Sequence, residues 1–267
     1  MQIPILLPKI FNYPLTYKSD KKNKLRIGDF VKVPFGKSTE IGIVWDKIEK
    51  PQKKIKIKYV SEKIENFNLK KSLVEYINWF SNYNLSSKGL VLKMSIGGTK
   101  KYEKISDQEY KKNKIKKKNY SLNSDQESSL NYISKFDNKF SVTVLQGVTG
   151  SGKTLVYFER IKRILEKDKQ VLILMPEIFL TKQFQKRFSE FFGYEPYLWH
   201  SKITPKNKKI IWHGIINDKI KIIIGARSSL LLPFKNLGLI IVDEEHDASY
   251  KQEDGIIYNA RDMAIAR

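Results

Sequence analysis

The stretch that decides the fold of this chain reads Ser141-Val142-Thr143-Val144-Leu145-Gln146-Gly147-Val148-Thr149-Gly150-Ser151-Gly152-Lys153-Thr154. Its apolar part, residues 142–146, predicts a β-strand, and the residues after Thr154 predict a helix that reaches about Lys167. Between the two, residues 147–154 match the phosphate-binding pattern G-x-x-x-x-G-K-S/T in full. A glycine-rich turn that arose by chance is the alternative, and the flanking strand and helix disfavour it. The sequence therefore predicts a nucleotide site where strand, turn and helix meet.

The residue types of this turn suit a triphosphate and a magnesium ion. Glycines let backbone N–H groups wrap around phosphate oxygens, and the N-terminus of the following helix adds its positive dipole. We expect Lys153 to reach the β- and γ-phosphates of ATP and the Thr154 hydroxyl to bind Mg²⁺. The residues predicted to bind the nucleotide are Gly147, Thr149, Gly150, Ser151, Gly152, Lys153 and Thr154.

An acidic motif follows a second apolar strand. Leu239-Ile240-Ile241-Val242 leads directly into Asp243-Glu244-Glu245-His246. We expect Asp243 to hold Mg²⁺ and Glu244 to orient and deprotonate the attacking water, because a carboxylate beside metal and phosphate can accept its proton. An acidic loop at a strand end is the alternative interpretation. With Lys153, these two carboxylates are the predicted catalytic residues.

The remaining pattern gives an α/β fold class in two parts. Apolar runs at residues 171–175, 220–224 and 237–242 alternate with helical stretches, which indicates a parallel sheet covered on both faces. Residues 1–60 instead read as short strands broken by turns, as in a small β-barrel or sandwich. From residue 69 the apolar period becomes helical, and this stripe predicts core packing. The stripe consists of Leu73, Tyr76, Ile77, Phe80 and Tyr83. We also expect Trp45, Trp79, Trp199 and Trp212 to be packing residues and His213 to lie on a helix surface.

The charge of the chain is concentrated in its first part. The 267 residues include 50 Lys+Arg and 28 Asp+Glu, a net charge of +22. Residues 1–118 hold 28 basic and 11 acidic residues, a net of +17, whereas residues 119–267 hold 22 and 17, a net of +5. Codon bias towards lysine is the alternative explanation of the total, but it should affect both parts alike. The asymmetry favours a polyanion partner for residues 1–118.

Composition also excludes some classes of protein. The chain has no cysteine, so a disulfide framework and a thiolate metal site are excluded for it. We find no apolar run of 18 residues and no basic segment followed by a cleavable apolar stretch at the start. We therefore expect a cytoplasmic protein without a membrane partner.

The two nucleotide motifs together resemble those of superfamily 2 helicases of the DExH type. The flanking segments are similar, in the same order, to the PriA family of replication-restart helicases. These segments are Met175-Pro176-Glu177-Ile178-Phe179-Leu180-Thr181, His200-Ser201, Ile224-Gly225-Ala226-Arg227-Ser228-Ser229 and residues 243–252. Leu122-Asn123-Ser124-Asp125-Gln126 resembles the family's Q-motif-like segment, which implies that Gln126 contacts adenine. Residues 15–17 and 31–37 are similar to the family's N-terminal domain, which binds the 3′ end of a nascent strand.

The resemblance implies DNA contacts at both ends of the chain. Arg227 matches a strand-contacting motif, and Tyr250, Lys251 and Tyr258 match an aromatic-rich loop that couples DNA contact to ATP hydrolysis. Base stacking on such rings tolerates any sequence; partial burial of Tyr250 and Tyr258 is the alternative. In the N-terminal pocket, we expect Tyr17 to offer a stacking face, Gly36 a close backbone approach and Lys37 a phosphate contact. A β-turn with an exposed lysine and a core tyrosine is the alternative there.

The resemblance also implies a domain organisation. Residues 1–95 form a β-rich 3′-end DNA-binding domain with a C-terminal helix, residues 96–118 a basic linker where relatives carry a winged helix, and residues 119–267 the first RecA-like helicase lobe. The second lobe, its arginine finger and the cysteine-rich zinc-binding region of the family have no counterpart in this sequence, so zinc ligands are not expected in it. We therefore expect the chain alone to bind ATP–Mg²⁺ weakly and to hydrolyse it little.

The function implied is that of an ATP-dependent 3′→5′ DNA helicase of replication restart, with ATP and Mg²⁺ as cofactors. The implied partners are forked DNA with a nascent 3′ end, single-stranded DNA, primosome proteins and single-stranded DNA-binding protein. Two alternatives remain open: a non-enzymatic platform that binds forked DNA, and another nucleic-acid translocase of superfamily 2.

Overall fold

The first part of the molecule is an antiparallel sheet, as the sequence predicts. The structure, a computed structural model, describes residues 1–20, 24–48, 57–97, 110, 120–136 and 139–267. Five strands lie in the order β2-β1-β4-β3-β5. They are β1 (Gln2–Leu6), β2 (Leu15–Lys18), β3 (Asp29–Phe35), β4 (Ser38–Val44) and β5 (Glu62–Asn68). The β3–β4 turn pairs Phe35 with Ser38 and passes through Gly36 at φ 59°, a left-handed conformation that favours glycine.

Two helices, α1 (Lys71–Tyr83) and α2 (Lys88–Ile96), follow this sheet and bury the predicted apolar stripe. Leu73, Ile77 and Phe80 are fully buried, so the helical period is confirmed for these residues. Tyr83, in the last turn, is 63% exposed, so the expectation that it is a core residue is wrong. Trp79 is 38% exposed, and its ring stacks on Tyr76 at 6.1 Å and on Tyr83 at 5.0 Å between centroids.

The second part is a parallel sheet with helices on both faces, which confirms the predicted fold class. The strands lie in the order β7-β8-β6-β9 and pair in parallel. They are β6 (Gln170–Leu174), β7 (Tyr197–Trp199), β8 (Ile222–Gly225) and β9 (Leu237–Val242). The helices are α3 (Ser124–Ser134), α4 (Lys153–Glu166), α5 (Lys182–Phe192), α6 (Pro205–Ile216) and α7 (Ala260–Ala266).

The side chains of β6 show how both faces of this sheet are covered. Val171 and Ile173 belong to one apolar cluster together with α4 and α5. Leu172 and Leu174 belong to another cluster together with α6 and α7. Because successive side chains of a strand point to opposite faces, a strand buried on both sides must be continuously apolar.

The strand expected at residues 142–146 is not formed. These residues belong to no ladder among the described strands, and Val142 and Val144 are 60% and 82% exposed. Valine-rich sequence favours extended backbone, but a strand also needs a neighbour that accepts its hydrogen bonds. Within the described residues, β9 pairs only with β6 and so leaves its other edge unpaired.

The two parts of the chain share one apolar core. Trp212, on α6, donates a hydrogen bond from its indole nitrogen to the carbonyl of Ser95 at 2.9 Å. Its ring lies 5.9 Å from Phe30 and 5.6 Å from Phe67, both of the first sheet. Tyr76, on α1, donates to the carbonyl of Met263 at 3.1 Å. The antiparallel sheet and its helices therefore pack directly against the parallel-sheet part.

This packing overturns the expectation that His213 lies on a helix surface. Its side chain is 1% exposed, and its ring meets Phe67 at 5.0 Å between centroids. Burial, together with the charge of Lys209, lowers the pKa of His213 to about 4, so the ring is neutral in the folded protein near pH 7. The predicted domain boundaries stay a prediction, because residues 98–109 and 111–118 of the basic linker lie outside the described residues.

Two short β-strands and three single-turn helices complete the second part. The strands β10 (Lys251–Gln252) and β11 (Tyr258–Asn259) pair in antiparallel fashion. The 3₁₀-helices span Glu177–Phe179, Arg227–Leu231 and Ala248–Tyr250. The first of these helices follows β6, the second follows β8 and the third follows the acidic turn after β9, so these segments gather at the carboxyl edge of the parallel sheet. None of the helices in the described part of the chain is long and apolar enough to span a membrane.

Candidate nucleotide-binding site

The glycine-rich turn has the backbone conformation that its glycines allow. Gly150 and Gly152 both have φ of 84°, in the left-handed region, and Gly152 is the N-cap of α4. A Cβ atom at Gly152 would lie 2.3 Å from the Gln126 side-chain nitrogen, so a side chain there would also displace Gln126. The turn is exposed, and it leads into the N-terminus of α4. This arrangement presents backbone N–H groups and a positive helix end to an anion.

Lys153 lies over the turn that precedes it. Its ammonium group donates to the carbonyls of Gly147 at 2.6 Å and Val148 at 3.2 Å. A lysine ammonium has three protons to donate, so it can also bind a phosphate oxygen in the same place. Thr149 and Ser151 are exposed in this turn.

Gln126 is brought next to the phosphate-binding turn. It forms a capping box with Asn123 at the start of α3. The Gln126 backbone nitrogen donates to the Asn123 side-chain oxygen at 2.9 Å, and the Asn123 backbone nitrogen donates to the Gln126 side-chain oxygen at 3.1 Å. The amide nitrogen of Gln126 donates to the carbonyl of Ser151 at 3.0 Å. The oxygen and the nitrogen of the Gln126 side-chain amide therefore both form hydrogen bonds within the protein. The adenine contact stays a prediction.

Asp243 is anchored between β6, its own turn and α4. Its backbone nitrogen donates to the carbonyl of Leu174 at 3.0 Å, which continues the pairing of β6 and β9. Its carboxylate accepts from the Glu244 backbone at 3.1 Å and from the Tyr157 hydroxyl at 2.8 Å. Tyr157 lies one turn after Thr154 on α4. The predicted magnesium ligand Asp243 is thus tied to the helix that carries the other predicted ligand, Thr154.

Sequence reasoning missed Tyr157. Its side chain is 8% exposed, and burial together with the Asp243 carboxylate raises its pKa, so the hydroxyl keeps its proton and donates it. A signal did exist: residues three apart on a helix are neighbours, so Tyr157 shares a face with Thr154. The contact with Asp243, far away in sequence, leaves no local pattern.

Glu244 has an unusual backbone. Its φ is 50°, in the left-handed region that non-glycine residues rarely occupy. Such a conformation costs about 1–3 kcal/mol and persists only where surrounding contacts fix it. Here the Glu244 backbone nitrogen donates to the Asp243 carboxylate at 3.1 Å, and the Glu244 carbonyl accepts from the Asp247 backbone at 2.9 Å. The Glu244 side chain is 42% exposed, so its carboxylate is accessible, and one of its oxygens lies 3.9 Å from His246.

The structure corrects the expected stacking role of Tyr250 and Tyr258. Tyr250 is 2% exposed and donates its hydroxyl to the carbonyls of Asp243 and Leu174. Tyr258 is 3% exposed and packs edge-on against Phe80 at 5.1 Å between centroids. Neither ring has an open face for a base, so in this conformation the stacking prediction is wrong and the burial alternative describes both residues. Tyr250 instead supports the backbone of the acidic turn.

Arg227 and Lys251 lie together. The Arg227 guanidinium donates to the carbonyl of Lys251 at 2.5 Å, and the Lys251 ammonium pairs with Glu253 at 2.9 Å. The side chain of Lys251 is 60% exposed. Lys251 directly follows Tyr250, the residue that supports the acidic turn. Their contact with DNA stays a prediction.

Of the residues predicted to bind DNA in the antiparallel-sheet part, one is buried and two are exposed. Tyr17 is 5% exposed and donates to the carbonyl of Pro34 at 3.2 Å, so its predicted stacking face is wrong and it is a core residue. Gly36 and Lys37 form the exposed tip of the β3–β4 turn, and the space around Gly36 is open. Sequence reasoning missed Lys58, whose ammonium group donates to the carbonyl of Gly36 at 3.3 Å. The tip therefore carries two lysines from distant positions in the sequence.

Comparison with known proteins identifies the family. Over an alignment of 268 positions that covers 98% of this chain, it is 45% identical to the replication restart protein PriA of Rickettsia conorii. Over 261 residues, 94% of the chain, it is 36% identical to the protein of the same name from Helicobacter pylori. Residues 3–97 match the family model of the PriA 3′DNA-binding domain. The chain belongs to the PriA family. Residues 119–265 match, and belong to, the ResIII family, described as the res subunit of type III restriction enzymes.

The match covers only part of the relatives' length. The chain spans 40% of the Rickettsia conorii protein and 38% of the Helicobacter pylori protein. A similar protein of Bacillus subtilis is 44% identical over 126 residues, which are 47% of this chain and 16% of that protein. The family and the helicase domain together assign the chain to a replication-restart helicase family.

The site suits magnesium better than a metal held by protein alone. Within the described ranges, no three His, Asp or Glu side chains come close enough to hold a metal ion. Mg²⁺ in nucleotide sites commonly takes one or two protein oxygens and completes its shell with phosphate and water. The Thr154 hydroxyl and the Asp243 carboxylate are hard oxygen ligands of this kind, and Tyr157 ties Asp243 to the helix that carries Thr154.

Proposed function

We propose that this chain supplies the ATP-binding and 3′-end-binding surfaces of an ATP-dependent 3′→5′ DNA helicase that restarts stalled replication forks in the cytoplasm. One observation carries the proposal: a phosphate-binding turn is joined through Tyr157 to an acidic turn at the carboxyl edge of a parallel sheet. The same chain carries a 3′DNA-binding domain packed against that sheet.

Each part of the nucleotide site has a defined task in this proposal. The N–H groups of residues 147–152 and Lys153 bind the phosphates of ATP, while Thr154 and Asp243 hold Mg²⁺. Bound Mg²⁺ neutralises charge on the phosphates and polarises them. Glu244, whose side chain is 42% exposed, orients the attacking water and accepts its proton.

The proposed DNA contacts lie on two surfaces. The tip of the β3–β4 turn, with Gly36, Lys37 and Lys58, binds the nascent 3′ end, and Arg227 with Lys251 contacts single-stranded DNA beside the acidic turn. Lysines bind phosphates without reading sequence, which suits an enzyme that acts at any fork. Primosome proteins and single-stranded DNA-binding protein are the proposed protein partners.

Replacing Lys37 with alanine should weaken binding of forked DNA that carries a nascent 3′ end. We expect a loss of a few-fold, with the slope of log affinity against log salt reduced by about one, because one phosphate contact is removed. Fluorescence anisotropy of a labelled fork over a series of salt concentrations measures both quantities.

Lys71→Ala is the matched control. Lys71 is an exposed lysine at the start of α1, near the end of β5 that pairs with Asp29, so it lies at the opposite end of β3 from Gly36. The control should leave fork binding unchanged. Equal losses in both variants would show a general charge effect and contradict the pocket. Fork binding by a chain that shows no affinity for ATP would instead favour the non-enzymatic platform.

A further inference from the structure

The carboxylate of Asp243 has a hydrogen-bond partner on each oxygen. One oxygen accepts from the Glu244 backbone at 3.1 Å, and the other accepts from the Tyr157 hydroxyl at 2.8 Å. Tyr157 comes from α4, the helix that begins at Lys153, so this contact ties the acidic turn to the phosphate-binding turn across the edge of the sheet. A carboxylate oxygen can accept more than one hydrogen bond, so each Asp243 oxygen keeps a lone pair for a metal ion or its water.

Tyr157 lies one turn after Thr154 on α4, and residues three apart on a helix share a face. The Tyr157 hydroxyl donates its single proton to the Asp243 carboxylate. This contact therefore holds the Asp243 carboxylate against the helix that carries Thr154.

The Tyr157 ring is held firmly enough to fix this geometry. It is 8% exposed and packs at 5.2 Å from the ring of Phe158, in the cluster that α4 shares with β6. Tyr250 holds the other side of Asp243, because its hydroxyl donates to the Asp243 carbonyl. The backbone and the side chain of Asp243 are therefore held by different tyrosines.

We propose that Tyr157 is a positioning residue for magnesium: its hydroxyl holds the Asp243 carboxylate against the helix that carries Thr154, in place for the cation of a bound nucleotide. The inference rests on the proposed function, since it presumes that the site takes a nucleotide with Mg²⁺. Residues that orient metal ligands without touching the metal commonly change metal affinity by about 10–100-fold when they are replaced.

Tyr157→Phe tests this inference, because it removes the hydroxyl and keeps the buried ring. Binding of a fluorescent ADP analogue to the full chain is measured in EDTA and then over a series of Mg²⁺ concentrations. We expect the Mg²⁺ concentration for half-maximal effect to rise about ten-fold in the variant, with the affinity in EDTA unchanged. A loss of packing would weaken both affinities together, so the comparison separates positioning from damage to the fold.

Tyr194→Phe is the matched control. It removes a tyrosine hydroxyl from the same part of the chain, where the ring packs against Phe188 at 5.7 Å. Its Mg²⁺ dependence should equal that of the wild type. An unchanged Mg²⁺ dependence in Tyr157→Phe would overturn the inference and leave the proposed function intact. A wild-type chain that binds no nucleotide at any Mg²⁺ concentration would overturn the proposed function itself.

Discussion

Lys153→Ala should lower the affinity of the chain for ATP–Mg²⁺ by about 10- to 150-fold. The Lys153 ammonium already lies over the turn formed by residues 147–152, where it donates to two carbonyls, so phosphate binding exchanges one set of acceptors for another. Hydrogen bonds to charged groups contribute about 1.5–3 kcal/mol, which corresponds to that range of affinity. Competition against a fluorescent nucleotide measures the change.

Lys167→Ala is the matched control for this variant. Lys167 is exposed at the C-terminal end of α4, away from the positive end of the helix dipole, and should contribute nothing to the affinity. Fork binding should survive in both variants, because the proposed 3′-end surface lies in the antiparallel-sheet part. An equal loss of nucleotide affinity in both variants would contradict a specific role for Lys153.

The second large effect concerns the packing between the two parts of the chain. Trp212→Ala should lower the free energy of unfolding by about 3–5 kcal/mol, the usual cost of removing a buried aromatic ring. Trp212 is 1% exposed and packs against Phe30 and Phe67 of the antiparallel sheet. Its indole nitrogen donates a hydrogen bond to the carbonyl of Ser95. Urea unfolding followed by far-ultraviolet circular dichroism measures the loss.

Trp79→Ala is the comparison for this loss. Trp79 is 38% exposed and stacks on Tyr83 at the surface of α1, so its removal leaves no buried cavity and should cost clearly less. If Trp212→Ala costs no more than Trp79→Ala, the shared core does not stabilise the chain. A large loss confined to one part of the chain would show that the two parts unfold independently.

The phosphate-binding turn and the parallel sheet could be predicted because their signals are local. The pattern of residues 147–154 specifies its own left-handed glycines, and continuously apolar strands such as β6 specify burial on both faces. The prediction of a strand at residues 142–146 was wrong because strand pairing is not a local property. Its composition favours extended backbone, but pairing depends on a neighbouring strand, which no short stretch of sequence encodes.

The aromatic residues show a second limit. Tyrosine rings suit both a core and a nucleic-acid surface, so sequence could not decide between stacking and burial for Tyr17, Tyr250 and Tyr258, and the structure buries all three. The surface position predicted for His213 was wrong, because the antiparallel-sheet part covers the face of α6 on which this residue lies. The role of Tyr157 depends on a contact with Asp243, 86 residues away, and only the folded chain shows it.

The central claim is that the nucleotide binds between the glycine-rich turn and the acidic turn of the parallel sheet. Amide hydrogen exchange of the chain with and without ADP–Mg²⁺ tests it most directly. We expect slower exchange at residues 147–154 and at the acidic turn, residues 243–246, and little change in the antiparallel sheet. Binding without slower exchange at residues 147–154, or with protection centred on the antiparallel sheet, would contradict it.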